Sequence, residues 1–343
     1  MLKKILIVAI IVAFLGGWFF YASKNKNKKT GGYTEGGMIE ENNQSLNPLS
    51  IEYLRDIPLD ASITIEEEID PGVNYKRYIA SYLSDGYKIY GLLTVPNTQA
   101  AEKFPAIVFN HGYIPPKEYR TTERYVAYVD SLARNGFVVF KIDYRGHGQS
   151  EGPAEGGYGS NGYTIDALNA AVGLAKLSYV DANRIGLWGH SMGGWISTRA
   201  AVARPELFSA VVVWAGVVGS YQDLIDIWWS RRPTPDQQWR NRSRWRQQLA
   251  QSYGPIADTN PFWQSVSTVY YLKDLKPPVQ LHHARGDATV PFELSVRFSE
   301  NLKKLKKTEE LYLYPEDDHN ITANFSLAME RTVEFFNRYL KNR

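Results

Sequence analysis

From residue 75 onward, short apolar runs alternate with longer stretches in which apolar positions recur every three or four residues. Two β-type runs, YKRYIASYLSDG and YKIYGLLTVP, meet at Ser84-Asp85-Gly86 and predict an antiparallel hairpin. Strand and helix patterns then take turns. FPAIVFNHG reads as a strand and 122–135 as a helix; FVVFKIDYRG as a strand and 164–177 as a helix. A short strand at 184–188 precedes a helix over 194–203. FSAVVVWAGVV and PPVQLHHARGD follow as strands, then a helix over 293–305, the strand EELYLYPEDD and a helix over 321–340. Runs such as PAIVF and AVVVWAG are apolar without alternation, as expected of central parallel strands covered on both faces. The pattern predicts an α/β fold: a mostly parallel, doubly wound sheet with an N-terminal antiparallel hairpin and a helical lid insertion at about 219–264.

The first 74 residues read differently. Ile5 to Tyr21 is a near-continuous apolar run flanked by lysines, at the short end of what spans a bilayer. No small-x-small cleavage site follows it, so residues 1–23 predict an uncleaved single-pass signal anchor, with a cleaved signal peptide as the competitor. The expectation is attachment to a membrane with the catalytic domain extracytoplasmic. Residues 24–50 are polar and Gly-rich, a flexible linker. Residues 51–74 form a lead-in segment without an assignable period, and 75–343 the catalytic domain.

Composition narrows the chemistry. The net charge of +3 comes from six lysines within residues 1–29; the remainder holds 33 basic against 36 acidic residues, so no nucleic-acid partner is expected. There is no cysteine, which excludes thiol catalysis, disulfides and thiolate metal sites. His and carboxylate residues show no metal-ligand spacing, and no cofactor is expected.

Gly189-His190-Ser191-Met192-Gly193 matches G-x-S-x-G, and so does Gly148-Gln149-Ser150-Glu151-Gly152. Only Ser191 lies between a strand and a helix, the setting that holds a serine on a sharp, strained turn. Ser150 is followed by Pro153 and Gly156-Gly157 and is set aside. A serine hydroxyl needs a base, and the base an orienting carboxylate, in the order serine, acid, histidine along such a chain. His319, in YPEDDHNI, is the candidate base. Asp287, ending the strand in ARGDATVP, is the candidate acid, with Asp317 and Asp318 as rivals. His282 and His283 lie inside that strand, at least one of them expected as a packed or hydrogen-bonded core residue; His111, His147 and His190 read as supports of their loops. The backbone N–H groups of Met192 and Tyr113 are the candidate oxyanion donors.

NHGY, DYRGHGQSEG, GHSMGG, RGDATVP and DDHN occur in the order found in the α/β-hydrolase superfamily. Over roughly 75–341 the chain resembles the catalytic domain of prolyl oligopeptidase-type (S9) serine peptidases. The hairpin leading into FPAIVFNHGY, VDANRIGLWGHSMGG and TNPFWQSVSTVYYLKDLKPPVQLHHARGD carry that likeness. The resemblance implies Ser191, Asp287 and His319 as the triad and a small ester or short peptide as substrate. It departs from the family in having too few residues ahead of the fold for a β-propeller, Met192 after the serine, and His-Gly-Tyr after the first parallel strand. A carboxylesterase on the same triad is therefore an alternative, and a non-catalytic tethered binding protein an alternative of another class. Five of nine tryptophans fall in the lid: Trp228, Trp229, Trp239, Trp245 and Trp263. Six arginines lie near them (Arg231, Arg232, Arg240, Arg242, Arg244 and Arg246), and Thr234-Pro235 predicts a helix start. Trp228 and Trp229 are candidate substrate-pocket residues; the other reading is a helix with a solvated basic face.

Overall fold

The structure, a computed structural model, describes residues 46–97, 103–231 and 244–341. Their strands are β1 (Thr64–Ile69), β2 (Tyr75–Ser84), β3 (Tyr87–Pro96), β4 (Phe104–Asn110), β5 (Val138–Ile142), β6 (Val180–His190), β7 (Ala210–Trp214), β8 (Val279–Ala284) and β9 (Glu309–Tyr314). They form one sheet in the order β1-β2-β3-β5-β4-β6-β7-β8-β9. The pairs from β1 to β3 and β3 with β5 are antiparallel. The pairs from β5 through β9 are parallel. This is an α/β-hydrolase sheet, with the expected hairpin at its antiparallel end.

Helices α1 (Ile51–Asp56), α2 (Val126–Arg134), α3 (Gly162–Ala175), α4 (Met192–Ala203), α5 (Arg244–Tyr253), α6 (Glu293–Lys304) and α7 (Phe325–Phe336) accompany it. The period of two along each strand divides the interior into two cores. On β4, Ala106 and Val108 join Leu168 of α3, Ile196 of α4 and Leu294 of α6. Ile107 and Phe109 point the other way, to the core of Val129 on α2 and Phe335 on α7. A central strand must therefore be apolar at every position, which is why the β4 and β7 runs lack alternation. Helix α4 lies in the middle of its layer, and all twelve of its residues are buried.

Residues 51–69 supply two elements that the sequence pattern did not predict. Ser50 caps α1 by accepting the Tyr53 N–H, and Ile51 and Leu54 are fully buried. Strand β1, TIEEEI, is almost wholly exposed and lies at the sheet edge. Glu66 and Glu68 pair with Lys88 and Lys76 of the hairpin.

The expected membrane anchor is corrected. Among the described residues no helix is long and apolar enough to cross a membrane. The longest described helix, α3, has 14 residues, about 21 Å at 1.5 Å per residue, against a hydrocarbon core of about 30 Å. The apolar runs of these residues are short strands and helices consumed by the two cores. The membrane partner and the extracytoplasmic placement that depended on the anchor are withdrawn with it. The run Ile5 to Tyr21 lies outside the described residues, as does Thr234-Pro235.

Candidate active site

Strand β6 ends at His190 and α4 begins at Met192, leaving Ser191 alone on the turn with φ 55° and ψ −117°. A non-glycine residue reaches such a conformation only when its surroundings hold it there. The Ser191 N–H donates to the Trp214 carbonyl at 2.9 Å, and the Ser191 carbonyl accepts N–H groups of Gly194 and Val217. Glycines are required beside it: a Cβ on Gly193 would fall on the Asn110 carbonyl oxygen, and one on Gly189 on the Gly193 carbonyl. Met192 opens α4, and the first N–H groups of a helix have no partner within it. Its side chain is buried under Gly157. Ser150, the second motif serine, instead accepts the Tyr90 N–H at 2.9 Å within a turn.

Asp287 follows β8, and its side chain is fully buried. Oδ1 accepts the N–H groups of Thr289 and Val290 at 2.8 and 2.9 Å. Oδ2 lies 2.7 Å from His319 Nδ1 and 3.2 Å from His283 Nε2. Burial alone would raise the pKa of this carboxyl. The hydrogen bonds from His283 and His319, the charge of His319 and the Val290 N–H outweigh it and hold the group well below the usual carboxylate range. His283 Nε2 also reaches the Val290 carbonyl at 3.0 Å, and a carbonyl can only accept, so Nε2 carries the proton and donates to Asp287 as well.

His319 is 18% exposed and its ring packs on that of His190, 4.6 Å between centroids. The structure thus brings the His319 loop against the turn that carries Ser191. Asp317 and Asp318 turn back into their own loop. Asp317 accepts from Asp318, Ala323 and Asn324, and Asp318 from Asn320 and Thr322. Gly286 sits where a Cβ would meet the Asp317 carbonyl at 2.7 Å, so the two loops touch.

The remaining histidines are buried. His111 stacks on Tyr119 at 4.6 Å, and burial keeps its pKa far below the ordinary value. His147 points Nδ1 at the Arg145 carbonyl, and His282 lies between Tyr314 and Gln280. Tyr113 is 52% exposed at the mouth of the loop after β4. Trp228 donates to the Thr289 carbonyl and, with Arg285, Asp287 and Phe292, lines a cavity of about 290 Å³. Trp229 does not line that cavity; the Arg246 guanidinium lies 4.0 Å over its ring. Trp239, Arg232, Arg240 and Arg242 lie outside the described residues. His283 was legible only as a core strand residue, because its contact with Asp287 depends on how the chain turns after β8. Tyr125, whose hydroxyl meets both Gly112 N and His190 Nδ1, carried no sequence signal at all.

Residues 124–343 match the model of the prolyl oligopeptidase family. An uncharacterized peptidase of Bacillus subtilis, YtmA, is 25% identical over 278 residues, covering 80% of this chain and 96% of its own. Mouse dipeptidyl peptidase 8 is 30% identical over 141 residues, which cover 38% of this chain and 16% of the relative. Among solved structures, a Pyrococcus horikoshii acylaminoacyl peptidase superposes with a TM-score of 0.60 at 22% identity, over 79% of this chain and 43% of that one. Acetyl xylan esterase 1 from Thermoanaerobacterium sp. JW/SL YS485 superposes at 0.61 and 18% identity, over 81% and 89%. These two likenesses are of fold.

Proposed function

The chain belongs to the prolyl oligopeptidase family and carries a catalytic domain of the serine-hydrolase type, and from that premise we propose that it is a peptidase that hydrolyses short peptides through an acyl-enzyme on Ser191. In this reading His319 Nε2 takes the Ser191 proton as Oγ attacks the substrate carbonyl. Asp287 holds Nδ1–H and stabilises the imidazolium that forms. The N–H groups of Met192 and Tyr113 receive the oxyanion, a contribution of about 3 to 4 kcal/mol for each donor. His319 then passes the proton to the leaving amine, and water, activated by the same imidazole, releases the acyl group.

The observation that carries the reading is the 2.7 Å contact between His319 Nδ1 and a buried, ionised Asp287 on the loops beside a strained serine. A fully buried carboxylate is costly unless paired, and this one has a histidine on either side. An esterase acting through the same residues is favoured by Met192 after the serine and by Tyr113 in place of a second glycine. The likeness to an acetyl xylan esterase over most of both chains supports it at the level of fold.

Fluorophosphonate labelling tests the mechanism: wild type is labelled and Ser191→Ala is not. Equal labelling of both would overturn it. Short p-nitrophenyl esters assayed beside aminoacyl and prolyl amides then separate the two readings, with amide turnover above background expected. Turnover of esters alone would decide for the esterase.

A further inference from the structure

His190 precedes the nucleophile, is 2% exposed, and has no part in the acyl-transfer steps above. Yet both of its ring nitrogens are engaged. We infer that Tyr125 and His190 are positioning residues that join the Gly112 end of the oxyanion loop to the main chain of His319 by one hydrogen-bonded chain. The inference rests on the reading of Ser191 and His319 as nucleophile and base.

The contacts run in sequence. Gly112 N–H reaches Tyr125 Oη at 2.9 Å, Tyr125 Oη reaches His190 Nδ1 at 2.8 Å, and His190 Nε2 reaches the His319 carbonyl at 3.0 Å. Their polarity follows from elementary donor and acceptor rules. The carbonyl can only accept, so Nε2 carries the imidazole proton and Nδ1 is bare. Nδ1 therefore takes the Tyr125 hydroxyl hydrogen, which leaves the hydroxyl oxygen to accept the Gly112 N–H. Every member is satisfied in one direction only. Burial, helped by the neighbouring charge of His319, brings the His190 pKa down to about 3, so the ring stays neutral and this polarity holds at working pH.

The anchor points lie at the chemistry. A Cβ on Gly112 would meet Tyr125 Oη at 2.7 Å, His190 Nδ1 at 3.1 Å and Ser191 Cβ at 3.2 Å, so the loop backbone packs closely against the nucleophile turn. Gly112 directly precedes Tyr113, the proposed oxyanion donor. Arg124 and Tyr125 are consecutive non-glycine residues with φ of 56° and 53°. Such strain persists only where the surroundings over-determine it. The buried Lys141 amine holds the Glu123 carbonyl at 2.9 Å just ahead of that turn, fixing the point from which Tyr125 reaches inward. A small displacement of the oxyanion loop would thus carry through to the histidine.

The full chain carrying Tyr125→Phe, His190→Ala, His190→Gln or Tyr125→Phe/His190→Ala is assayed on p-nitrophenyl acetate beside wild type, with melting temperature recorded for each. Tyr125→Phe keeps the ring and removes only the hydroxyl. It should lower kcat by about 10- to 100-fold while KM changes less than about twofold, since misplacement of catalytic groups by an ångström is felt on that scale. His190→Gln, which retains one donor and one acceptor, should recover most of what His190→Ala loses. The double variant should be no slower than the slower single one, because both break the same chain. A Tyr125→Phe enzyme within about threefold of wild-type kcat, or losses that multiply in the double variant, would overturn the inference. Where His190→Ala does not fold, Tyr125→Phe and His190→Gln decide alone. Failure of the underlying reading looks different: wild type itself would then take no fluorophosphonate.

Discussion

Replacing Asp287 by asparagine tests the proposed mechanism at its most constrained point. Oδ1 accepts two backbone N–H groups, from Thr289 and Val290, and only an oxygen can do so. The asparagine must therefore place its carbonyl oxygen there and its NH₂ where Oδ2 stood. That NH₂ faces His283 Nε2–H and His319 Nδ1–H, so donors meet donors. His283 is pinned by the Val290 carbonyl, whereas His319 can relieve the conflict by moving its proton to Nε2. Nε2 is the atom proposed to take the Ser191 proton, and it would already be occupied. An inversion of this kind lowers kcat by about 10⁴, or about 5.5 kcal/mol at 1.36 kcal/mol per tenfold. The assay is kcat and KM of purified Asp287→Asn on p-nitrophenyl acetate, with Asp318→Asn alongside. Asp318, bonded to Asn320 and Thr322, should cost less than about tenfold. An Asp287→Asn enzyme within tenfold of wild type, or a larger loss at Asp318, would show that Asp287 does not orient His319.

Gly193→Ala would drive a methyl into the Asn110 carbonyl and should destabilise by more than about 4 kcal/mol, seen as loss of soluble yield or of a cooperative melt. Lys141 makes stability depend on pH in an uncommon direction. Burial brings its pKa down to about 8, so the native state bears the cost of a buried charge below that value, while the unfolded chain stays protonated to about 10.4. The stability of wild type relative to Lys141→Met should accordingly rise between pH 7 and 10, by no more than about 3 kcal/mol in denaturant titrations; a fall would contradict it. Trp228→Ala should change the ratio of short- to long-chain ester turnover while fluorophosphonate labelling of Ser191 persists. Trp229→Ala should change it less, because Trp229 does not line the cavity beside Asp287.

The sheet and its helices were legible because each central strand is a dense apolar run and each helix repeats with its own period. The elements missed had no such mark. TIEEEI carries three consecutive glutamates because it is an edge strand with almost no face to bury. Helix α2 starts at Val126 rather than 122, because Arg124 and Tyr125 turn left-handed to send a hydroxyl toward Gly112. Ser191, Asp287 and His319 could be proposed as a candidate triad from their order along the chain. His283 and Tyr125 could not be tied to that site, since they meet it through partners brought near by the fold. The alternation of β8 explains the two adjacent histidines. One faces Trp214 and Tyr314, the other Ser295 and Asp287.

Strand β1 has a further consequence, which is colloidal. A second copy approaching along that edge, strand against strand, would set Glu66, Glu67 and Glu68 against their own counterparts, and like charges directly opposed repel. The sheet is thereby kept from growing molecule by molecule at neutral pH. Replacing those glutamates by glutamine would lift the guard. Edge-on aggregation of this protein is accordingly to be watched first in variants that remove these charges.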